Sequence, residues 1–389
     1  MTPAGRVSQS AFDGSRLRVI LLLDLYEGAQ EQFLQAYDVM RRQVASVPGH
    51  VSDQLCQSIE NPSQWLITSE WESAPPFLAW VNSEEHVETV KPMHSCVRDT
   101  RSMRYSILRE TGPSGTAPAP VPAAHDAHDA GVVPAAGHLA PRVGEGVVRH
   151  ALTFTVKPGS ESKVAELLSA YQSPQARVDE TTRLRRTSLF MHGNRVVRAV
   201  EVEGDLLTAL RHVARQPEVR AVEEAINPYL EQDRDLRDPE SARLFFTRAA
   251  LPAVHHVVSS RPAPDKLRRH ALYYPARPGR GLELARLLAE QDQRAAAAPD
   301  HPVHSSTVFQ RDDIVVRLID ITGDLDLDPV ASLGLTPTAP GGPVADDRLQ
   351  SLLDGPAIGA EGSLTDERTL NRLLSHAEMQ PVTDRTAAP

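Results

Sequence analysis

Apolar residues recur at two different spacings along the first hundred positions, and each change of spacing marks an element. Val19 to Leu25 is a short apolar run that predicts a strand. Phe33, Tyr37, Met40 and Val44 then recur three and four residues apart, which puts them on one face of a helix over Ala29 to Val47. Pro48-Gly49 ends it. Two further runs, Val51 to Ile59 and Trp65 to Glu72, flank Glu60-Asn61-Pro62-Ser63, whose Asn and Pro supply the dihedrals of a hairpin turn. A second helix from Ala74 to about Arg98 and a last strand from Met103 to Leu108 complete a βαββαβ unit.

Two more bodies follow, and they resemble each other. Arg149-His150-Ala151-Leu152 and Lys157-Pro158-Gly159 recur as Arg269-His270-Ala271-Leu272 and Arg277-Pro278-Gly279. Val196-Val197-Arg198 before Gly204-Asp205 recurs as Val315-Val316-Arg317 before Gly323-Asp324. Phe245-Phe246 and Leu251 are answered by Leu373-Leu374 and Met379. The expected class is therefore α+β, with tandem ferredoxin-like modules of the dimeric α/β-barrel type. The expected bodies are 15–110, 148–258 and 266–389, the last with a long internal loop near 334–348. Residues 111–147, rich in Pro and Ala, read as a linker, and His125, His128 and His138 within it receive no role.

The first strand is apolar on both alternations, so a sheet covered by helices on one face needs a second cover on the other. The two repeats can supply this to each other inside one chain. The first body needs a second copy of the protein, which predicts a homodimer.

Composition narrows the function. A formal net charge of -10 gives no electrostatic footprint for nucleic acid or an anionic membrane surface, so neither partner is expected. Two distant cysteines, Cys56 and Cys96, make neither a disulfide framework nor a zinc site. A polar start without a secretory apolar core fits a cytoplasmic protein. Phosphate-cradle, dinucleotide, zinc-protease and nucleophile-elbow motifs do not occur, so no metal or cofactor is expected. Glu223-Glu224 and Asp312-Asp313 sit in polar stretches and read as solvated faces.

Ile67-Thr68-Ser69-Glu70-Trp71-Glu72-Ser73, followed by Phe77, Trp80, Ser83 and His86, carries a resemblance over Arg18 to Leu108. This segment resembles the antibiotic biosynthesis monooxygenase family, dimeric α/β-barrel enzymes that oxidise polyketide anthrones or phenols to quinones. The remainder, with its repeated Arg-His-Ala-Leu and the closing Met379-Gln380-Pro381-Val382-Thr383-Asp384-Arg385, resembles SchA/CurD-like proteins of aromatic polyketide and spore-pigment pathways. The resemblance implies a monooxygenase that uses O2 without flavin or metal, acting on an aromatic polyketide. A polyketide cyclase of the same fold and a non-catalytic partner of the polyketide enzymes are the rival readings. Family members commonly carry His where this chain has Trp80, which moves any role for that imidazole to His86 or His94.

All three tryptophans fall in the first body. Trp71 can wall a pocket and donate its indole N–H to a substrate oxygen, or fill core space. His94, after Pro92, and His86, after Glu84-Glu85, are the candidate bases, with a helix-end and a wet surface histidine as the respective alternatives. Trp80, Trp65, Asn61, His50 and Phe77 are candidate substrate contacts, although turn chemistry also accounts for Asn61 and packing for Trp80. Arg198 and Arg317 can pair with an acid or bind a phenolate.

Overall fold

A computed structural model describes residues 8–108, 146–172, 174–264, 266–298, 300–335, 347–355, 364 and 366–387. Nearly all of the linker at 111–147 and much of the loop at 334–348, with His125, His128 and His138, lie outside them. The chain divides into two units, Ser10–Pro141 and Met1–Gln9 with Arg142–Pro389.

After a three-residue strand, β1 (Ser8–Ser10), the first unit runs β2 (Leu17–Leu25), α1 (Gln30–Val44), β3 (His50–Gln57), β4 (Gln64–Trp71), α2 (Ala74–Val81), α3 (Glu84–His94) and β5 (Val97–Ser106). Its sheet has the order β3-β4-β2-β5 with every pair antiparallel, the arrangement of a ferredoxin-like unit. Phe33, Tyr37, Met40 and Val44 are buried as the helical spacing requires. The single helix expected from Ala74 to Arg98 is instead two. Ser83 takes an extended conformation and its side chain accepts the His86 N–H, so a new helix starts there with Glu84 and Glu85 in its first turn. The last strand consequently begins at Val97.

Leu17, Val19, Leu23 and Leu25 are buried on one side of β2. The other side of the sheet carries Ile20, Leu22, Leu66, Met103 and Tyr105, and Leu22 and Tyr105 stay 41% and 49% exposed.

The second unit holds both repeats. The first contributes β6 (Val147–Thr155), α4 (Glu161–Ala170), β7 (Arg183–His192), β8 (Arg195–Glu203), α5 (Leu206–Arg215), α6 (Pro217–Ile226), α7 (Pro239–Ala249) and β9 (Ala250–Val258). The second contributes β10 (Arg268–Pro275), α8 (Gly281–Ala297), β11 (Val303–Arg311), β12 (Ile314–Ile321), α9 (Pro329–Ser332), α10 (Asp347–Leu352), α11 (Glu367–Ala377) and β13 (Gln380–Thr386). Their registers coincide: Leu152 lies opposite Arg198, and Leu272 opposite Arg317. Gly204 and Gly323 make the same left-handed turn, at φ +91° and +92°.

The strands follow the path β10-β12-β11-β9-β6-β8-β7-β13, with β1 beside β9. The last strand of each repeat is thus shared: β9 pairs with β11 of the second repeat, and β13 with β7 of the first. Met379 N–H donates to Ala271 O at 2.9 Å and Leu272 bridges Glu378, which brings the two ends of the path together. Ala151, Phe190, Val197, Ala199, Leu251, Ala271, Phe309, Val316 and Met379 form one buried cluster drawn from both repeats. No helix among the described residues is long and apolar enough to cross a membrane.

One expectation about carboxylates is overturned. Glu223 is buried rather than solvated, 2.5 Å from Arg198 and 2.7 Å from Arg234. Asp313 accepts the Gly279 and Gly281 N–H groups at 2.9 and 3.0 Å, and so ties the β11–β12 turn to the start of α8.

Candidate active site

Strand β4 presents Trp65, Ile67, Ser69 and Trp71 at alternate positions, and this is its helix-facing row. Trp65 packs edge-on against Phe33 of α1, ring centroids 5.7 Å apart. Trp71 stands between His50 of β3 at 5.1 Å and Phe77 of α2 at 5.5 Å. Trp80 meets His86 edge-on at 5.2 Å, and the Arg104 guanidinium lies 5.3 Å from the Phe77 ring centroid. Four of the eight residues anticipated from the sequence, His50, Trp65, Trp71 and Phe77, therefore line the layer between sheet and helices, while Trp80 packs on His86 between α2 and α3.

What these rings offer differs from the expectation. Trp71 is only 1% exposed and its indole N–H donates to Ser69 Oγ at 3.0 Å, so it contributes a ring face and not a free donor. Trp65 likewise gives its N–H to Pro62 O at 3.1 Å.

The two imidazoles on α3 have unlike surroundings. His86 is half-buried rather than wet, with Nδ1 enclosed and lacking a hydrogen-bond partner. Burial first, and the nearby His94 second, push its pKa down to about 4, so it is neutral at pH 7 and a weak base. His94 is exposed at the C-terminal end of α3, where a cation meets the helix dipole favourably. Asn61 is exposed in the hairpin turn, its Oδ1 accepting from Ser63 N at 3.1 Å and Ser63 Oγ at 2.9 Å. Turn chemistry occupies its side-chain oxygen.

Sequence reasoning missed two groups here. Asp53 Oδ1 lies 3.1 Å from His50 Nε2, an ion-pair distance at an angle outside hydrogen-bond geometry. Tyr37 of α1 is buried, and burial first and the Asp53 carboxylate second raise its hydroxyl pKa. Tyr37 had been visible only as one position of an apolar stripe.

The second unit pairs its buried cations with acids. Arg317 is held by Asp292 and Ser306, and Arg198 by Glu223. Tyr274 donates to Leu333 O at 2.9 Å, and burial pushes its pKa up to about 12. A polar cleft of about 470 Å³ at Arg177, Thr181, Thr182, Arg183 and Glu203 shares no residue with the aromatic layer. Among the described residues no group of three or more His, Cys, Asp or Glu is placed to hold a metal ion.

Comparison with known proteins places these features. Residues 16–92 match the antibiotic biosynthesis monooxygenase family, and residues 147–259 the SchA/CurD-like domain. The chain is 64% identical over 388 residues to a protein named polyketide synthase CurD from Streptomyces cyaneus, covering all of both chains. It is 60% identical to a 42.8 kDa protein of the whiE locus of Streptomyces coelicolor, covering 100% of this chain and 92% of that one. Protein SchA of Streptomyces halstedii is 58% identical, with 99% and 97% covered. Among solved structures, SnoaB, a cofactor-independent oxygenase from Streptomyces nogalater, is similar at 13% identity and a TM-score of 0.24, covering 25% of this chain and 98% of that one. A putative antibiotic biosynthesis monooxygenase from Bordetella bronchiseptica is similar at 17% identity and a TM-score of 0.23, covering 24% and 96%.

Proposed function

Because this chain belongs to the polyketide-associated SchA/CurD-like family and carries an antibiotic biosynthesis monooxygenase domain ahead of its SchA/CurD-like domain, we propose that its N-terminal unit oxidises a phenolic or anthrone-type aromatic polyketide to a quinone. The oxidant is O2, and no flavin or metal takes part. One oxygen atom becomes the new carbonyl oxygen of the ring, and the other leaves as water with the two hydrogens lost from the substrate. The ionised substrate supplies the electrons that a flavin supplies elsewhere. The protein's task is then to hold a flat ring away from water and to take up its proton.

The observation that carries this reading is the aromatic layer of Trp65, Trp71, Phe77 and His50 on the helix-facing side of one sheet. Flat rings pack well edge-on or offset against such surfaces. Aerobic incubation of the purified chain with dithranol, an anthrone bearing phenolic hydroxyls, should form the quinone with label entering from labelled O2. No oxygen-dependent product from dithranol counts against the reading. Conversion of a polyketide intermediate that continues without oxygen favours cyclisation instead.

The exposed apolar face with Leu22 and Tyr105 fits a homodimer formed through this unit. Light scattering of the whole chain should give twice the chain mass, and a monomeric mass rejects the dimer.

A further inference from the structure

On an undisturbed strand, residues of opposite parity point to opposite faces, so His50 and Asp53 would lie on different sides of the sheet. They do not. The β3–β4 register places His50 opposite Trp71, slips by one residue between His50 and Ser52, and then sets Asp53 opposite Ser69. Trp71 and Ser69 belong to the same row of β4. The bulge therefore rotates Asp53 onto the side that already holds His50, and Nε2 and Oδ1 come to 3.1 Å. Both side chains are largely shielded, 7% and 12% exposed. Without the bulge the aromatic layer would hold an imidazole with no carboxylate behind it.

Its surroundings match a proton acceptor. The His50 ring lies edge-on to Trp71 at 5.1 Å, within the layer assigned to substrate. Asp53 stands at Nε2, which leaves Nδ1 as the ring atom for a substrate hydroxyl. Tyr37 of α1 is buried beside Asp53, and the other charged or ionisable groups that act on Tyr37 are Asp38, Arg41 and Cys56. His86 is too weak a base for this duty, and His94 is exposed.

We propose that His50 is the catalytic base that takes the phenolic proton, and that Asp53, brought behind it by the β3 bulge, is a positioning residue that orients the ring and stabilises its protonated form. This deepens the oxidation reading and rests on it. The proton passes from the substrate oxygen to His50 Nδ1, the electron pair stays on the substrate, and O2 is the electron acceptor already named. The charge pair formed at that moment, imidazolium and carboxylate, lies out of solvent, where its attraction counts most.

The test uses the full chain and dithranol, with His50→Gln, Asp53→Asn and Asp53→Glu. Relative to the wild type, His50→Gln and Asp53→Asn should each lose about 10²-fold in kcat/KM. Asp53→Glu should recover part of that loss. In Asp53→Asn the loss should fall on kcat, with KM within about twofold of the wild type, because a group that acts in the transition state has been disturbed. A wild type that oxidises dithranol while His50→Gln or Asp53→Asn keeps its rate overturns the proposal and leaves the oxidation reading standing. A loss in Asp53→Asn that falls on KM alone also overturns it. A wild type inert toward dithranol removes the oxidation reading itself, and the base assignment with it.

Discussion

Asp292 and Arg317 meet where water does not reach: Nη2 lies 2.6 Å from Oδ1, and Nε lies 3.0 and 3.2 Å from the two carboxylate oxygens. Ser306 and the Ser332 carbonyl take up the remaining geometry. The other repeat holds a half-buried Arg198 at the same register position, but its partner Glu223 comes from α6, whereas Asp292 comes from α8. Each repeat thus keeps the cation and takes the anion from a different helix.

Breaking one side of that pair strands a charge in the interior. Asp292→Ala should destabilise the second unit by about 3–5 kcal/mol, whereas replacing both residues together, as Asp292→Leu with Arg317→Met, should cost far less. Urea unfolding of the three proteins decides this, and equal losses for the single and double variants would show that packing, not charge, governs the site.

His255 is 1% exposed and neither ring nitrogen has a hydrogen-bond partner. Burial pushes its pKa down to about 4, with Asp292 opposing and Arg317 assisting. The folded value lies below the ordinary 6.5, so acid protonates the unfolded chain first. Its contribution is intact above about pH 6.5 and is lost as pH falls toward 4, a change of about 3 kcal/mol in all. Stability measured from pH 7 to 4 should fall less steeply in His255→Leu than in the wild type, and parallel curves would refute the assignment.

Strand β13 fills the edge of β7 through six aligned residue pairs. Ending the chain at residue 379 would uncover the β7 edge and remove the Asp384 carboxylate from Arg186, to which it bonds at 2.5 and 2.8 Å. The shortened protein is expected to aggregate, since an open strand edge recruits other chains. A soluble protein with an unchanged unfolding midpoint would mean that the shared strand contributes little.

Trp71 tests how much the buried ring contributes. Trp71→Phe keeps a six-membered ring but loses the fused five-membered ring together with the bond to Ser69, so stability should drop by about 1–3 kcal/mol, whereas Trp71→Ala should lose about 3–5 kcal/mol. Thermal unfolding ranks the two, and equal losses would mean that the phenyl ring left by Trp71→Phe contributes nothing.

Some of this architecture is written locally and some is not. The α1 stripe, the turn at Asn61 and the paired Arg-His-Ala-Leu segments follow from spacing alone, because helix period, turn dihedrals and duplication are properties of neighbouring residues. The break at Ser83 was also local, and its capping serine was the available signal. The exchange of β9 and β13 between repeats, the burial of Glu223 and the meeting of His50 with Asp53 depend on which distant strand lies alongside, and at what register. A slip of one residue reverses the face of everything beyond it. Side-chain identity and period thus determined the elements and the aromatic inventory of this protein, while long-range strand pairing decided which of those side chains stand together.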